Sequence, residues 1–166
     1  MKNKKPIFII DAMLGNLAKK LRLLGYDSVY SSDIEDDELI SISKKQNRIM
    51  ITKDVQLAKK ASKQRIEVIQ ITKSDEIDQF GQIKDKVNLG KFTIKASISR
   101  CPVCNGTLIK TEKKLIQGHV PEGVLENTED FWKCSDCKKI YWEGTHIQNL
   151  QKFTEKLNDK LYTNIR

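Results

Sequence analysis

The four cysteines of the chain stand in two C-x-x-C pairs, a spacing typical of metal-binding thiolates. Cys101 and Cys104 form the first pair, and Cys134 and Cys137 form the second. Each pair brings two sulfur atoms near one point, so the two pairs together predict a tetrahedral four-sulfur site for Zn²⁺. Four thiolates leave no coordination position for water, and the expected role of this zinc is therefore structural.

Other states of these cysteines remain open from the sequence. Two disulfides or unpaired thiols are alternatives, although disulfides are disfavoured in a cytoplasmic protein, and iron is an alternative metal. The segment between the pairs, residues 105–133, is longer by about ten residues than the usual spacing. It has room for one or two β-hairpins, and the metal is expected to supply much of the folding free energy of so small a ribbon.

Aromatic residues surround the second cysteine pair and allow two interpretations. They could stack on unpaired bases, or they could form the small apolar core of the ribbon. We favour the core, because apolar area is what a small unit lacks. These residues are Phe131, Trp132, Tyr141 and Trp142. His146 is a further candidate for contact with RNA phosphate.

A second group of candidate residues consists of acids next to predicted strands. Asp11 follows the apolar run Phe8–Ile10, and Asp54 follows the β-rich run Arg48–Thr52. Parallel strands end at one edge of a sheet, where open α/β sheets bind ligands. Converging carboxylates repel one another, and their natural partner is Mg²⁺ or Mn²⁺, which can activate water for phosphoryl displacement. A third segment supplies more carboxylates: Asp33, Glu35, Asp36, Asp37 and Glu38.

Helix capping is the alternative role for these acids. Aspartate is a preferred N-cap, and each acid precedes a predicted helix. Asp11 fits this role less well, because Asn16 is a rival cap for the same helix. The sequence contains neither a glycine-rich phosphate loop nor a Rossmann glycine fingerprint. Metal binding and capping therefore both remain open.

The elements that must position the acids alternate between strand and helix. Strands are predicted over residues 5–10, 27–31, 48–52 and 66–71, and helices over residues 14–24, 36–46, 55–64 and 75–87. This alternation indicates an α/β fold with a mostly parallel sheet and flanking helices. Gly25 is expected to end the first helix with a positive φ angle. A C-terminal helix is predicted over residues 145–161.

The chain divides into two predicted domains at a turn-rich segment. Residues 1–96 form the α/β unit, and residues 97–166 form a zinc ribbon with the C-terminal helix. The formal net charge of +8 suits a polyanion such as RNA, and it equally suits a solvated lysine-rich surface. The apolar stretches are too short to cross a bilayer, and no signal-peptide cleavage site follows the N-terminal segment. We therefore expect a cytoplasmic protein without membrane contact.

Several motifs, in the same order along the chain, resemble the Mut-seven C-terminal ribonuclease domain family. They are D-x-x-L-G-x-L-A-x-x-L-R-x-L-G-Y-D at 11–27, D-D-E-L-I at 36–40, R-I-M-I-T-K-D at 48–54, S-R-C-P-V-C-N-G at 99–106 and F-W-K-C-S-D-C-K-K-I-Y-W-E-G-T-H at 131–146. The resemblance implies a PIN-like nuclease fold with a fused zinc ribbon. It also implies metal-dependent cleavage of RNA by a cluster of acids.

The resemblance assigns roles to particular acids by matching position. Asp11, Asp36 and Asp54 would be the catalytic acids that hold Mg²⁺ or Mn²⁺, and Asp37 would share the role of its neighbour. The family usually has Thr-Arg-Asp where residues 52–54 are Thr-Lys-Asp, so a forked phosphate contact becomes a point charge. A fourth acid has no clear counterpart, and three residues near the next predicted helix are candidates: Asp75, Glu76 and Asp78.

We therefore expect a metal-dependent ribonuclease, cleaving endonucleolytically, in which Lys19, Arg22 and Lys53 contact RNA phosphates. The ribbon would position single-stranded or looped RNA, and a ribosomal or transfer RNA precursor is an expected substrate by analogy of architecture. The main alternative is a catalytically inactive PIN-like module that binds RNA or protein and uses its acids as caps. A toxin-type nuclease with an antitoxin partner is a third reading, although a ribbon is atypical there. The sequence leaves the oligomeric state open.

Overall fold

A parallel four-stranded sheet with helices on both faces forms the first part of the structure. The structure is a computed structural model that describes residues 4–163. The strands are β1 (Phe8–Ile10), β2 (Ser28–Tyr30), β3 (Ile49–Thr52) and β4 (Val68–Gln70). The helices that follow them in turn are α1 (Gly15–Leu23), α2 (Asp36–Gln46), α3 (Val55–Lys63) and α4 (Glu76–Lys84). The predicted parallel sheet with flanking helices is thereby confirmed.

The strand order β2-β1-β3-β4 puts the two central strands next to each other. Side chains alternate between the faces of each strand, so Phe8 and Ile10 enter one core with α1 and α4. Ile9 and Met50 enter a second core with α2 and α3 on the opposite face. The chain runs outward from β1 in one direction to β2 and in the other to β3 and β4. Such a reversal opens a crevice beyond the carboxyl ends of the central strands.

Helix α1 is amphipathic, and a short 3₁₀ turn over Ala12–Leu14 leads into it. Its buried residues lie at helical spacing: Leu17, Ala18, Leu21 and Arg22. Gly25 follows the helix with a φ of 86°, as predicted. A Cβ atom there would lie 2.5 Å from the carbonyl oxygen of Ile98. Glycine is therefore required both for the backbone conformation and for the close approach of the second part of the chain.

The ribbon is an antiparallel three-stranded sheet of β5 (Leu108–Thr111), β6 (Phe131–Cys134) and β7 (Ile140–Trp142). The long connection contains a 3₁₀ turn, Lys113–Leu115, and a short helix, α5 (Glu122–Asn127), that the sequence analysis does not predict. Phe131 is fully buried in a small core, and its ring centroid lies 6.3 Å from that of Trp142. The apolar-core interpretation is confirmed for these two aromatics. Trp132 and Tyr141 are cross-strand partners on the opposite face.

The C-terminal helix α6 (Thr145–Tyr162) packs on the α/β unit. The ring centroid of Phe153 lies 6.0 Å from that of Phe80 in α4, and Leu157 is fully buried. The sequence analysis groups this helix with the ribbon, whereas its apolar side completes the core of the first unit. The boundary at residue 96 stays a prediction. Within residues 4–163, none of the helices combines the length and the hydrophobicity needed to cross a bilayer.

A buried arginine of α1 joins the α/β unit to the first cysteine pair. Arg22 is 4% exposed. Its Nη1 donates to the carbonyl oxygens of Pro102 at 2.9 Å and Val103 at 3.1 Å, and its Nε donates to the carbonyl of Ser28 at 2.9 Å. The sequence-based expectation that Arg22 contacts RNA phosphate is corrected by this placement. Its N–H groups bind backbone carbonyls inside the protein, so they are withdrawn from a ligand at the surface.

A second polar contact between the two parts is centred on Asp27. Arg48 binds both carboxylate oxygens of Asp27, with Nη1 to Oδ1 at 2.7 Å and Nη2 to Oδ2 at 3.2 Å. The side chain of Asn105, next to the first cysteine pair, donates to Oδ1 at 2.8 Å. Burial alone would raise the pKa of Asp27, but the hydrogen bonds from Arg48 and Asn105 outweigh it and lower the pKa.

We predict that Asp27→Asn lowers the free energy of unfolding by about 1–3 kcal/mol, because the three hydrogen bonds from Arg48 and Asn105 lose their charged acceptor. A carboxylate with a lowered folded-state pKa stabilises fully above its unfolded pKa of about 3.9 and loses that contribution as the pH falls further. The difference from wild type should therefore be equal at pH 8 and pH 6 in urea denaturation. Asp33→Asn, at an exposed position, is the control. Equal stability of Asp27→Asn and wild type would contradict the prediction.

Candidate functional site

Asp11 lies at the carboxyl end of β1, beside the last residue of β3. Its backbone N–H donates to the carbonyl of Ile51 at 3.0 Å, and its side chain is buried, with 7% of the residue exposed. The carboxylate oxygen Oδ2 accepts a hydrogen bond from the hydroxyl of Thr52 at 2.7 Å. Although Asp11 precedes the 3₁₀ turn, its side chain makes no capping hydrogen bond. Capping is therefore not the role of this carboxylate.

Thr52 connects the two chain segments that carry Asp11 and Asp54. Its side chain is fully buried. The same hydroxyl that donates to Asp11 accepts a hydrogen bond from the backbone N–H of Asp54 at 2.9 Å. The sequence analysis did not identify this residue as functional. The available signal was a β-branched hydroxyl residue at the end of a strand, two positions before an acid.

Asp54 is the N-cap of α3, which confirms the capping interpretation for this residue. Its Oδ1 accepts hydrogen bonds from the backbone N–H groups of Gln56 at 2.7 Å and Leu57 at 2.8 Å. Within residues 4–163, the other carboxylate oxygen, Oδ2, accepts no hydrogen bond. Capping therefore orients the Asp54 side chain and leaves one of its oxygens for another ligand.

The remaining predicted acids lie in the first turn of α2, which begins at the same edge of the sheet. Asp36 and Asp37 are exposed, and Asp37 Oδ1 pairs with Lys60 Nζ at 2.6 Å. Among residues 4–163, ligand atoms of three or more His, Cys, Asp or Glu lie within 4.8 Å of one another only in the cysteine group. The structure thus joins Asp11 to Asp54 through Thr52, and it does not gather Asp36 with them at that distance.

A divalent cation fits the donors present at this edge. Mg²⁺ is commonly bound by one or two carboxylates, with water and substrate phosphate as the other ligands. Asp11 supplies a buried carboxylate and Asp54 supplies an oxygen outside the cap. The kinds of donor present therefore suit Mg²⁺, which does not require a closed cage of three acids.

The candidates for a fourth acid already have partners within the protein. Asp75 is the N-cap of α4, with Oδ1 accepting from the backbone N–H groups of Ile77 and Asp78. Glu76 pairs with Lys20, and the Asp78 carboxylate pairs with Lys160 at 2.7 Å. These contacts give each acid a structural role at the start of α4.

The predicted basic contacts have different surroundings. Lys19 is exposed on α1, and Lys53 is half-buried between Thr52 and Asp54. His146 is exposed in the first turn of α6. Lys53 is thus the cation nearest in sequence to Asp54, whereas Arg22 is buried in the last turn of α1.

The four cysteines converge as the sequence predicts. Their sulfur atoms all lie within 4.8 Å of one another, with Cys101 and Cys137 3.7 Å apart and Cys104 and Cys134 3.4 Å apart. A tetrahedral site with metal–sulfur bonds of about 2.3 Å places the sulfurs about 3.8 Å apart. All four cysteines are free of disulfides. The group therefore fits a zinc ion with four thiolate ligands.

Local geometry favours the thiolate form of Cys104, whereas burial raises the pKa of Cys134. At Cys137 the backbone N–H of Lys139 is outweighed by burial and the neighbouring thiols, which raise the pKa. Burial opposes ionisation of Cys104, but the backbone N–H of Gly106 and the neighbouring thiols outweigh it and lower the pKa of Cys104 to about 7. A Cβ atom on Gly106 would lie 2.6 Å from the sulfur of Cys134. Glycine is therefore needed for the two cysteine loops to approach each other.

Comparison with known families gives one match over this arrangement. A family model described as the Mut7-C RNAse domain matches residues 6–154, a range that includes the acidic edge and all four cysteines. Comparisons with curated proteins and with solved structures give no significant match.

We predict that removing zinc with a chelator increases hydrogen exchange in α1 several-fold, as well as in the ribbon. The carbonyls of Pro102 and Val103 accept hydrogen bonds from buried Arg22, and a buried arginine that loses its partners destabilises the helix that carries it. Exchange mass spectrometry of the zinc-loaded and zinc-free protein measures this, with α3 on the other face of the sheet as the internal control. Unchanged exchange in α1 would contradict the coupling.

We predict that Thr52→Val lowers the free energy of unfolding by about 1–3 kcal/mol, because the carboxylate of Asp11 loses its donor and the N–H of Asp54 loses its acceptor. Thr52→Ser keeps the hydroxyl and should retain most of the stability. Urea denaturation of both variants separates the hydrogen bonds from the packing of the methyl group. Full stability of Thr52→Val together with a loss in Thr52→Ser would show that packing of the methyl group alone matters.

Proposed function

The chain belongs to the Mut7-C RNAse domain family, and on that premise we propose that it is a metal-dependent ribonuclease acting at the carboxyl edge of β1 and β3. The observation that carries the proposal is the buried carboxylate of Asp11, which caps no helix and is joined through Thr52 to Asp54. A buried charge is costly unless a hydrogen-bond partner or a cation compensates it. The single neutral hydroxyl of Thr52 compensates the charge of Asp11 only in part, so a bound cation would account for a buried carboxylate at this position.

Each residue at this edge has a separate role in the proposed reaction. Asp11 and Asp54, with Asp36 from α2, would hold Mg²⁺ or Mn²⁺, and the chemistry such an ion supplies is activation of water and neutralisation of charge on the phosphoryl group. Thr52 holds the Asp11 carboxylate in one orientation, and the N-terminal N–H groups of α3 do the same for Asp54. Lys53 would bind a phosphate oxygen of the RNA as a point charge.

We further propose that cleavage is endonucleolytic, on a single-stranded or looped segment of a structural RNA precursor in the cytoplasm. The exposed apolar side chain of Met13 lies two residues after Asp11 and would contact a nucleotide next to the cleaved phosphate. The exposed Lys19 adds a positive charge on α1.

On one face of the ribbon Trp132 would offer an aromatic ring to an unpaired nucleotide. The hydroxyl of Tyr141 on the same face contacts the sulfur of Cys101. Lys110 pairs with Asp130.

A catalytically inactive module that binds RNA or protein is the second candidate. It is favoured by the capping roles of Asp54 and Asp75, because a cap needs no metal. It does not account for Asp11, whose carboxylate caps nothing.

We predict that the zinc-loaded protein cleaves RNA in Mn²⁺ or Mg²⁺, that EDTA stops cleavage, and that Asp11→Asn reduces the rate by on the order of 100-fold or more. Even changes outside the first ligand shell of a metal cost roughly 10–100-fold. Asp33→Asn, an exposed acid before α2, is the matched control and should cleave like wild type. Circular dichroism checks that each variant is folded.

Two outcomes would overturn the proposal. Equal cleavage by wild type and Asp11→Asn would mean that the activity lies elsewhere or comes from a contaminant. Failure of wild type to cleave a broad RNA panel, with RNA affinity retained in both proteins, would favour the inactive binding module.

A further inference from the structure

A cavity of about 360 Å³ opens beside the acidic edge, between the N-terminal turns of α1 and α4. The chain around Met13 and Asn16, which leads from Asp11 into α1, forms one wall. Ser74 and Gln79, at the start of α4, form the opposite wall. Lys53, which stands between Thr52 and Asp54 in the sequence, also lines the cavity. A ligand in this cavity would therefore lie next to the phosphate on which the proposed reaction takes place.

Gln79 presents a buried hydrogen-bond acceptor at this cavity. The residue is 6% exposed, and its Nε2 donates to the carbonyl oxygens of Lys73 at 3.0 Å and Ser74 at 3.3 Å. These two bonds define the orientation of the amide, because the reverse orientation would set its oxygen against two carbonyl oxygens.

The other end of the amide has no partner inside the protein. Within residues 4–163, Gln79 Oε1 accepts no hydrogen bond. Gln79 Oε1 is also accessible to solvent. Among residues 4–163, Ser43 Oγ is the one fully buried side-chain oxygen or nitrogen that lacks a hydrogen-bond partner. A donor group that enters the cavity can therefore reach Gln79 Oε1 and hydrogen-bond to it.

The rest of the cavity adds an apolar surface and a positive charge. Met13 is 72% exposed at the rim, so its flexible, polarizable side chain is available for contact with a ligand. Lys53 makes no ion pair with the described residues, whereas Glu76, the acid on the wall, is neutralised by Lys20. The cavity therefore combines an acceptor, an apolar contact and a cation.

We propose that this cavity is a nucleobase subsite, which receives the base next to the cleaved phosphate and recognises its exocyclic amino group through Gln79 Oε1. Adenine, cytosine and guanine carry such an amino group, whereas uracil carries carbonyl oxygens instead and has only its ring N3–H as a Watson–Crick donor, so it offers Oε1 a weaker match. Met13 contacts the face of the base, and Lys53 binds its phosphate. The placement of the phosphate rests on the proposed function, whereas binding of the base is measurable without any reaction.

The experiment measures binding in EDTA, so that no cleavage occurs. Fluorescence anisotropy compares short single-stranded oligo(A), oligo(C) and oligo(U) at one salt concentration. Wild type should bind oligo(A) and oligo(C) at least about threefold more tightly than oligo(U), and Gln79→Leu should remove this preference. Met13→Ala should weaken binding of oligo(A) by about fivefold, since a base loses its apolar contact.

Val55→Ala is the matched control, because Val55 is also an exposed apolar residue beside an acid, at 46% exposure, but lies outside the cavity. It should bind all three oligomers like wild type. If Gln79→Leu does not fold, the subsite is still tested by Met13→Ala and by the base preference of wild type. Equal binding of the three oligomers by wild type, absence of binding, or equal losses in Met13→Ala and Val55→Ala would overturn the subsite. A wild type that shows the base preference but never cleaves RNA would overturn the proposed function alone.

Discussion

The parallel pairing of β1 with β3 is the constraint on which the site depends. This pairing places Ile10 opposite Ile51, so the next residues of the two segments, Asp11 after β1 and Thr52 at the end of β3, meet at one edge. The strand order β2-β1-β3-β4 changes direction at this pair. The helices that follow the strands begin on both faces of the sheet near the carboxyl ends of β1 and β3. The hydrogen bond between Thr52 and Asp11 then joins the two segments side chain to side chain. A shift of one residue in this register would separate the acid from the hydroxyl.

The edge also collects the N-termini of the helices that follow the strands. The N-terminus of a helix carries a partial positive charge, which lowers the cost of placing carboxylates such as Asp11 and Asp54 close together. The same ends favour anions such as phosphate. Acids that bind a cation and helix ends that attract phosphate can therefore share one edge. The side chain of Asp54 has two roles at this edge, since one of its oxygens caps α3 and the other is left for a ligand.

The ribbon lies next to the α/β unit and also contributes to its stability. Arg22 is buried, and two of its acceptors are carbonyls of the loop between Cys101 and Cys104. The charge of Arg22 is tolerated inside the protein because that loop is in place. Folding of the cysteine loops thus supports α1, the helix that starts four residues after Asp11. The docking of α6 onto α4 connects the end of the chain to the same core.

Local patterns in the sequence predicted the elements of the α/β unit, the C-terminal helix and the group of four cysteines, because helical periodicity, strand alternation and C-x-x-C spacing are short-range features. The helix α5 was not predicted. The predicted helix over residues 36–46 has the observed bounds, and the four cysteines meet as expected. Contacts between distant residues were decided by the tertiary structure alone. Arg22 has the spacing of a surface cation, yet it binds carbonyls 80 residues or more away. Thr52 and Gln79 became candidates only when folding set them beside Asp11 and an open cavity, since neither lies in a recognisable motif for that role.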